Sequence, residues 1–250
     1  MQILMPLLIS TIAGLSTTLG ALVIFLKIKE KNVNKFIAFC LSFSIAIMIG
    51  ISITDLIPES FLTLTSESLE KGLITTLTTF LIGILLIKLF IVLINKQKNN
   101  TTNLYKLGIL NMLALMLHNF PEGIATFLSA YQNMDLGIKL GIAIMLHNIP
   151  EGISIAVPIY YSTHNKKKAI KKAFLSGLAE PLGAILAFLI FKDFVTESFL
   201  SIILLLVAGI MITLSIDEMY PEVIKYKEKK LFYVGITIGT ILVLINHFCF

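Results

Sequence analysis

The sequence is dominated by apolar runs of about twenty residues that recur from end to end, separated by short breaks that carry lysine. A helix needs roughly 20 apolar residues to cross the hydrocarbon core of a bilayer. Of the 250 residues, 56% are hydrophobic and 14% are charged, whereas soluble domains have about 45–50% and about 25%. The sequence therefore predicts an all-α polytopic membrane protein. A soluble enzyme, a disordered protein and a nucleic-acid binder are excluded as leading interpretations.

Eight transmembrane helices account for nearly the whole chain, which leaves no room for a soluble catalytic domain. Residues 1–250 are accordingly expected to form a single transmembrane domain. The predicted helices span residues 3–26, 36–57, 73–95, 105–130, 137–161, 170–191, 199–218 and 231–249.

The lysines are distributed asymmetrically between the loops, and cytoplasmic loops of membrane proteins carry an excess of Lys and Arg. All twenty basic residues are lysine, and sixteen of them fall in or beside the loops that follow helices 1, 3, 5 and 7. The opposite loops hold only Lys71, Lys139 and Lys192, and Lys88 lies within helix 3, where its side chain is expected to snorkel. This pattern predicts both termini outside the cytoplasm, in the cell (plasma) membrane, and it explains the net charge of +5 without a nucleic-acid partner.

A twelve-residue motif occurs twice near the middle of neighbouring helices. Residues 113–124 (LALMLHNFPEGI) and residues 142–153 (IAIMLHNIPEGI) are identical at nine of twelve positions without a gap. The first copy lies on helix 4 and the second on helix 5, so the two copies are antiparallel in the membrane.

A second, weaker repeat joins helices 2 and 7. Residues 45–59 (IAIMIGISITDLIPE) match residues 208–222 (AGIMITLSIDEMYPE) at seven of fifteen positions, with Ser52 opposite Ser215 and Pro58 opposite Pro221. These copies are also antiparallel. They predict a 3+2+3 arrangement in which helices 1–3 and 6–8 are inverted repeats around a helix 4/5 pair, an architecture known among transporters.

Ionisable and amide side chains are concentrated at membrane depth, where they need partners or a wet cavity. At about 100° per residue, His118 and Glu122 share one face of helix 4 and Asn119 flanks it, and helix 5 repeats this arrangement. Pro121 and Pro150 have no N–H, so each leaves a carbonyl without its helical partner. The candidate metal ligands are His118, Asn119, Glu122, His147, Asn148, Glu151 and, on helix 6, Glu180.

This set of side chains is chemically suited to a releasable metal ion. Histidine with carboxylate suits zinc, iron and manganese, whereas calcium and magnesium favour oxygen alone. Five or more convergent ligands could hold two metals with a glutamate bridging them. No cysteine lies in the cluster, and conduction requires binding that is weak enough for the ion to leave.

The remaining polar residues near the helix ends carry less information. We interpret Met48 and Met211 as core residues, since methionine commonly fills cores. The acidic residues near helix ends are expected to be solvated, and His164 and His247 have no evident partner in the sequence. These acidic residues are Asp55, Glu59, Asp217, Glu218 and Glu222.

At the twin motif, the sequence resembles the ZIP family of divalent-metal transporters, in particular its bacterial ZupT-type zinc/iron permeases. The resemblance covers the whole chain: eight spans, HNFPEG on helix 4, HNIPEG on helix 5, AEPLGA on helix 6 and the paired PE motifs. It implies the 3+2+3 arrangement, a two-metal transport site and ligands at the seven residues above. It further implies that Met48 matches a position that can contribute a thioether.

Three classes of function follow as hypotheses. The first is a single-domain transporter that moves Zn²⁺, Fe²⁺ or related ions such as Mn²⁺ into the cytoplasm, and it needs no cofactor. The alternative is an intramembrane metal-dependent hydrolase, although the H-E-x-x-H spacing of zinc proteases is absent. The third is a metal receptor or scaffold. The expected partners are divalent metal ions and the lipid bilayer, and the sequence leaves a homodimer open.

Overall fold

The structure is a computed structural model that describes residues 3–66, 68–96, 103–191 and 196–249, and within these ranges it contains helices and no strands. The described helical residues form eight rods. These are α1 (Leu4–Phe25), α2 (Glu30–Thr65), α3 (Leu69–Lys96), α4 (Asn103–Gln132), α5 (Met134–Thr163), α6 (166–191, with a turn at Leu178), α7 (Glu197–Lys225) and α8 (Lys229–Cys249).

Seven of the rods have the length and hydropathy of a membrane span, which confirms the prediction of a polytopic helical membrane protein. The rod outside this set is α4, which carries His118, Asn119 and Glu122. These polar side chains are buried inside the protein, so α4 does not present them to lipid. A criterion based on helix length and hydropathy therefore misses α4, because its buried polar side chains lower its mean hydropathy.

Helices α2 and α7 continue well past the ends predicted at residues 57 and 218. Each contains a π-helical turn, at Ser52–Leu56 in α2 and at Ser215–Met219 in α7, and an α-helix then runs on to Thr65 or Lys225. Pro58 and Pro221 stand in the first turn after these π turns, where a missing N–H costs little. The prolines mark a change of helix type and not the end of the helix.

The rods pack most extensively within two groups. In the first, α1, α4, α5 and α6 all contact one another; in the second, α2 packs against α8, α3 and α7, and α3 packs against α7. Smaller contacts of α2 with α5 and of α4 with α7 join the two groups. Met48 and Met211 are fully buried in the apolar core, which confirms their interpretation as core residues.

Two glycines of the twin motif allow neighbouring backbones to approach closely. A Cβ atom on Gly152 of α5 would lie 1.8 Å from the carbonyl oxygen of Thr17 on α1. A Cβ atom on Gly123 of α4 would lie 2.0 Å from the carbonyl oxygen of Glu180 on α6. Small residues at such positions are what permit tight helix packing in membranes.

We expect Gly152→Ala to lower the thermal stability of the protein in detergent, because the added methyl group forces α1 and α5 apart. Overpacking of this kind costs about 1–3 kcal/mol. Gly141→Ala is the matched control, since a Cβ there meets only the Ile9 methyl carbon at short range, at 2.4 Å, and a side chain can move. Fluorescence-detected size-exclusion chromatography after heating measures both variants. Equal melting of the two variants would contradict this account of the α1–α5 contact.

Candidate metal centre

The centre is built where α4 and α5 cross as antiparallel neighbours, with α6 closing the third side. Both α4 and α5 remain helical through the prolines of the twin motif, so the motif's side chains keep helical spacing. His118 and Glu122 are one turn apart on α4, and His147 and Glu151 are one turn apart on α5. The turn at Leu178 in α6 brings Glu180 to the same depth, in the first turn of the helix that follows.

Glu122 is the central carboxylate of this site. Its Oε1 atom lies 2.9 Å from His147 Nε2 and 3.0 Å from His118 Nε2. One ligand atom from each of these three residues lies within 4.8 Å of the other two. Glu151 adds a second carboxylate, with Oε1 3.6 Å from His118 Nε2. The two copies of the motif therefore meet as a single cluster.

The asparagines hold the remaining carboxylates in position. The Asn148 amide donates to Glu180 Oε1 and, at 3.0 Å, to the carbonyl oxygen of Ala13 on α1. The Asn119 amide, in the orientation that satisfies its neighbours, donates to Glu151 Oε2 at 3.3 Å and to a backbone carbonyl at 2.7 Å. All seven residues predicted from the sequence thus lie in one buried region.

Several polar atoms of this cluster are buried without a hydrogen-bond partner in the part of the chain that the structure describes. They include one oxygen on each of Glu122, Glu151 and Glu180, and Nδ1 of both His118 and His147. Side-chain oxygens and ring nitrogens of this kind are rarely left unpaired inside proteins. Three carboxylates with free oxygen atoms beside two imidazoles form a donor set for divalent cations.

The cluster is closed on nearly all sides. His118, Asn119, Asn148 and Glu180 are fully buried, and Glu122 and His147 retain 5% and 7% exposure. His147 borders a cavity of about 10 Å³, which α2, α5 and α8 line and which is at the lower limit for holding a single water molecule. Water is therefore largely excluded from the donor atoms, which strengthens their electrostatic interactions.

Sequence reasoning missed the residues that support the cluster from outside the motif. Ala13 contributes only a backbone carbonyl, which no side-chain pattern marks. Ser44 Oγ donates to the Pro150 carbonyl at 3.2 Å, and Asn111 Nδ2 donates to the Ser154 carbonyl at 2.9 Å. Ser44 and Asn111 could have been noticed as polar residues inside apolar spans. Their partners could not be predicted, because the partners depend on how the helices pack.

The prediction that His247 has no partner is wrong. Its Nδ1 atom lies 2.6 Å from Asp55 Oδ1, because the end of α8 packs beside the π turn of α2. Lys88 does not simply snorkel, since its Nζ atom lies 3.4 Å from Asp217 Oδ2. Near the end of α7, Lys225 Nζ lies 2.5 Å from Glu222 Oε2. Three of the acidic residues near helix ends, Asp55, Asp217 and Glu222, are therefore paired, and the expectation that Glu222 is solvated is wrong because this residue is buried.

Buried imidazole, amide and carboxylate side chains that converge inside a polytopic helical membrane protein are typical of the class of metal-ion transporters. A family model described as ZIP zinc transporter matches residues 94–247. The chain is 40% identical to the zinc transporter ZupT of Oceanobacillus iheyensis, over 98% of this chain and 97% of that protein. It is 38% identical to the ZupT of Streptococcus mutans, over 97% and 96%, and 34% identical to that of Clostridium perfringens, over 100% and 97%.

The chain belongs to the ZIP family of zinc transporters. It is a divalent-metal transporter and not an enzyme, so the alternative of an intramembrane hydrolase is dropped. The resemblance drawn from the twin motif is confirmed.

We expect Glu122→Gln to weaken zinc binding by roughly 100-fold or more, because loss of even an outer-shell partner commonly costs 10–100-fold. The substitution keeps the shape of the side chain but removes the charge that both imidazoles contact. Isothermal titration of the purified protein with Zn²⁺ measures the change. Glu70→Gln, an exposed carboxylate at the start of α3, is the control. Unchanged affinity in Glu122→Gln would remove Glu122 from the site.

Proposed function

We propose that this protein mediates uptake of divalent cations into the cytoplasm through the cluster on α4, α5 and α6. The candidate cargoes are Zn²⁺, Fe²⁺ and Mn²⁺, and the relatives' names favour zinc. The observation that carries the proposal is the contact of Glu122 with His118 and His147, one from each copy of the motif. The proposed ligands are His118, Asn119, Glu122, His147, Asn148, Glu151 and Glu180.

The donor set supports a two-metal site near the middle of the membrane. Glu122 Oε1 contacts both histidines, and Glu151 lies beside His118, which supports a role for these two carboxylates in bridging two ions. Three carboxylates bring at most three negative charges, which exceed the charge of one divalent cation and fall one short of that of two. An empty site leaves those charges buried and close together, which disfavours ionisation of all three. Cation binding therefore supplies the charge that the cluster lacks.

The same donor set supports release of the ion. The cluster contains imidazole, amide and carboxylate groups but no thiolate, and the free cysteine Cys40 is not among its residues. Thiolate ligands would hold zinc tightly, whereas a transported ion must leave its site. A receptor or scaffold would not need to release its ion, so ligands that bind zinc less tightly than thiolate favour transport.

We further propose that residues 1–250 form one transporter domain with the 3+2+3 arrangement of inverted repeats. The π-helical turns support it, since Ser52–Leu56 and Ser215–Met219 begin at the two serines that the sequence repeat aligns. The close approach of Gly14 and Gly177 also supports this arrangement. These glycines join α1 to α6, which are the first helices of the two proposed repeats. Helices α4 and α5 then form the central pair.

The proposed orientation, with both termini outside, predicts which positions an impermeant reagent can reach. In a background with Cys40→Ala and Cys249→Ala, Glu70→Cys in the first turn of α3 should be labelled by a membrane-impermeant maleimide in intact cells. Lys167→Cys in the first turn of α6 should be labelled only after the cells are opened. Both native side chains are exposed in the structure. The reverse pattern of labelling would invert the topology.

The decisive experiment is metal flux into proteoliposomes. Glu151→Ala should reduce uptake of Zn²⁺ to the level of empty vesicles, because the substitution removes a buried carboxylate that we propose as a ligand of the cation. The control, Glu70→Gln, should transport at the wild-type rate, and both proteins must insert to the same level. Parallel assays with Fe²⁺ and Mn²⁺ rank the cargoes. Full uptake by correctly inserted Glu151→Ala would refute the site, and no flux with wild-type protein would refute transport.

A further inference from the structure

A basic cavity of about 690 Å³ lies at the end of the protein where α1 stops and both α2 and α8 begin. Four lysines line it: Lys27, Lys29, Lys31 and Lys35. All four side chains are exposed, and within the described ranges of the chain none has a carboxylate at ion-pair distance. The cavity therefore concentrates four lysine ammonium groups, none of which is held in an ion pair among the described residues.

The other wall of this cavity is apolar. Phe36 and Phe39 of α2 and Leu231 of α8 line it, and all three are half-buried. Next to the lysines, Leu22 in the last turn of α1 and Leu26 just after it are exposed, at 47% and 57%. A site for a soluble anion needs no such wall, whereas the glycerol and upper acyl chain of a lipid would contact it. Basic pockets between membrane helices on the cytoplasmic side bind the head groups of anionic lipids.

We propose that this cavity binds the phosphate head group of an anionic phospholipid in the leaflet that the lysine-rich loops face. The lysines contact the phosphate, and Phe36, Phe39 and Leu231 contact the glycerol and the first part of an acyl chain. A bound lipid would then tie the α1–α2 connection to the start of α8. The proposal concerns a site separate from the metal cluster and does not depend on which ion is carried.

A general topology signal does not account for this arrangement. Orientation requires only that lysines lie in the loop, wherever their side chains point. The first turns of α6 have five lysines in seven residues, 166–172, yet none of them lines this cavity. There, Lys166 Nζ lies 4.5 Å from the centre of the Phe25 ring and Lys168 Nζ lies 4.3 Å from that of Tyr105. The combination of unpaired lysines with an apolar wall belongs to the α1–α2 cavity.

The test compares two variants that each remove two positive charges from the same face of the membrane. One is Lys29→Gln with Lys35→Gln in the cavity, and the other is Lys167→Gln with Lys171→Gln outside it. Purified full-length protein in neutral detergent is titrated with phosphatidylglycerol, phosphatidylcholine or inorganic phosphate, and bound lipid is counted by native mass spectrometry. Size-exclusion profiles verify that all variants are folded.

We expect the cavity variant to lose roughly 30-fold in affinity for phosphatidylglycerol, since each lysine near an anionic surface contributes several-fold. The control variant should stay within about twofold of wild type, and Lys29→Arg with Lys35→Arg should retain binding. Equal losses in both Gln variants, or phosphatidylcholine binding as tight as phosphatidylglycerol, would overturn the proposal. Displacement of the lipid by equimolar inorganic phosphate would assign the cavity to a soluble anion and also overturn it. Zinc uptake is not a readout here, so failure would leave the proposed transport function untouched.

Discussion

The contact of Glu122 with His118 and His147 is the interaction on which the organisation of this protein depends. Ionisable groups inside a membrane are expensive unless they are paired, wet or bound to a cation. Here one carboxylate oxygen lies within 3.0 Å of an imidazole nitrogen from each of two antiparallel helices. The contact joins α4 to α5 and gathers donor atoms of the kind that divalent ions take. The polar groups that are costly to place in a membrane are thus the groups on which the proposed transport depends.

Two further helices pack closely against α4 and α5 because the motif carries glycine immediately after its glutamate. Gly152 admits the backbone of α1, and Gly123 admits the backbone of α6 at Glu180 itself. This close packing lets the Glu180 carboxylate accept a hydrogen bond from Asn148. The Ala13 carbonyl enters in the same way, as a hydrogen-bond acceptor for Asn148. The segments HNFPEG and HNIPEG thus contain both the proposed metal ligands and the glycine that allows close helix packing.

Around this centre, the two ends of the protein differ in charge and in chemistry. One end joins α2 to α8 through Asp55 and His247. The other end is rich in lysine, and four lysines line a cavity there, on the cytoplasmic side in the proposed orientation. Cargo and lipid would therefore contact separate surfaces, since the metal cluster is buried in mid-span and the basic cavity lies at a helix end. Transport and anchoring in the membrane can then vary independently.

The sequence by itself determined the polytopic helical class, the approximate extent of eight helices and the seven polar residues of the cluster. It could do so because apolar length, helical periodicity and a repeated motif are local properties. It did not determine that α2 and α7 continue through π turns past Pro58 and Pro221, because proline is compatible with either outcome. It also missed the Ala13 carbonyl and the partner of His247. Those contacts join residues more than 130 positions apart, and only the packing of one helix against another brings them together.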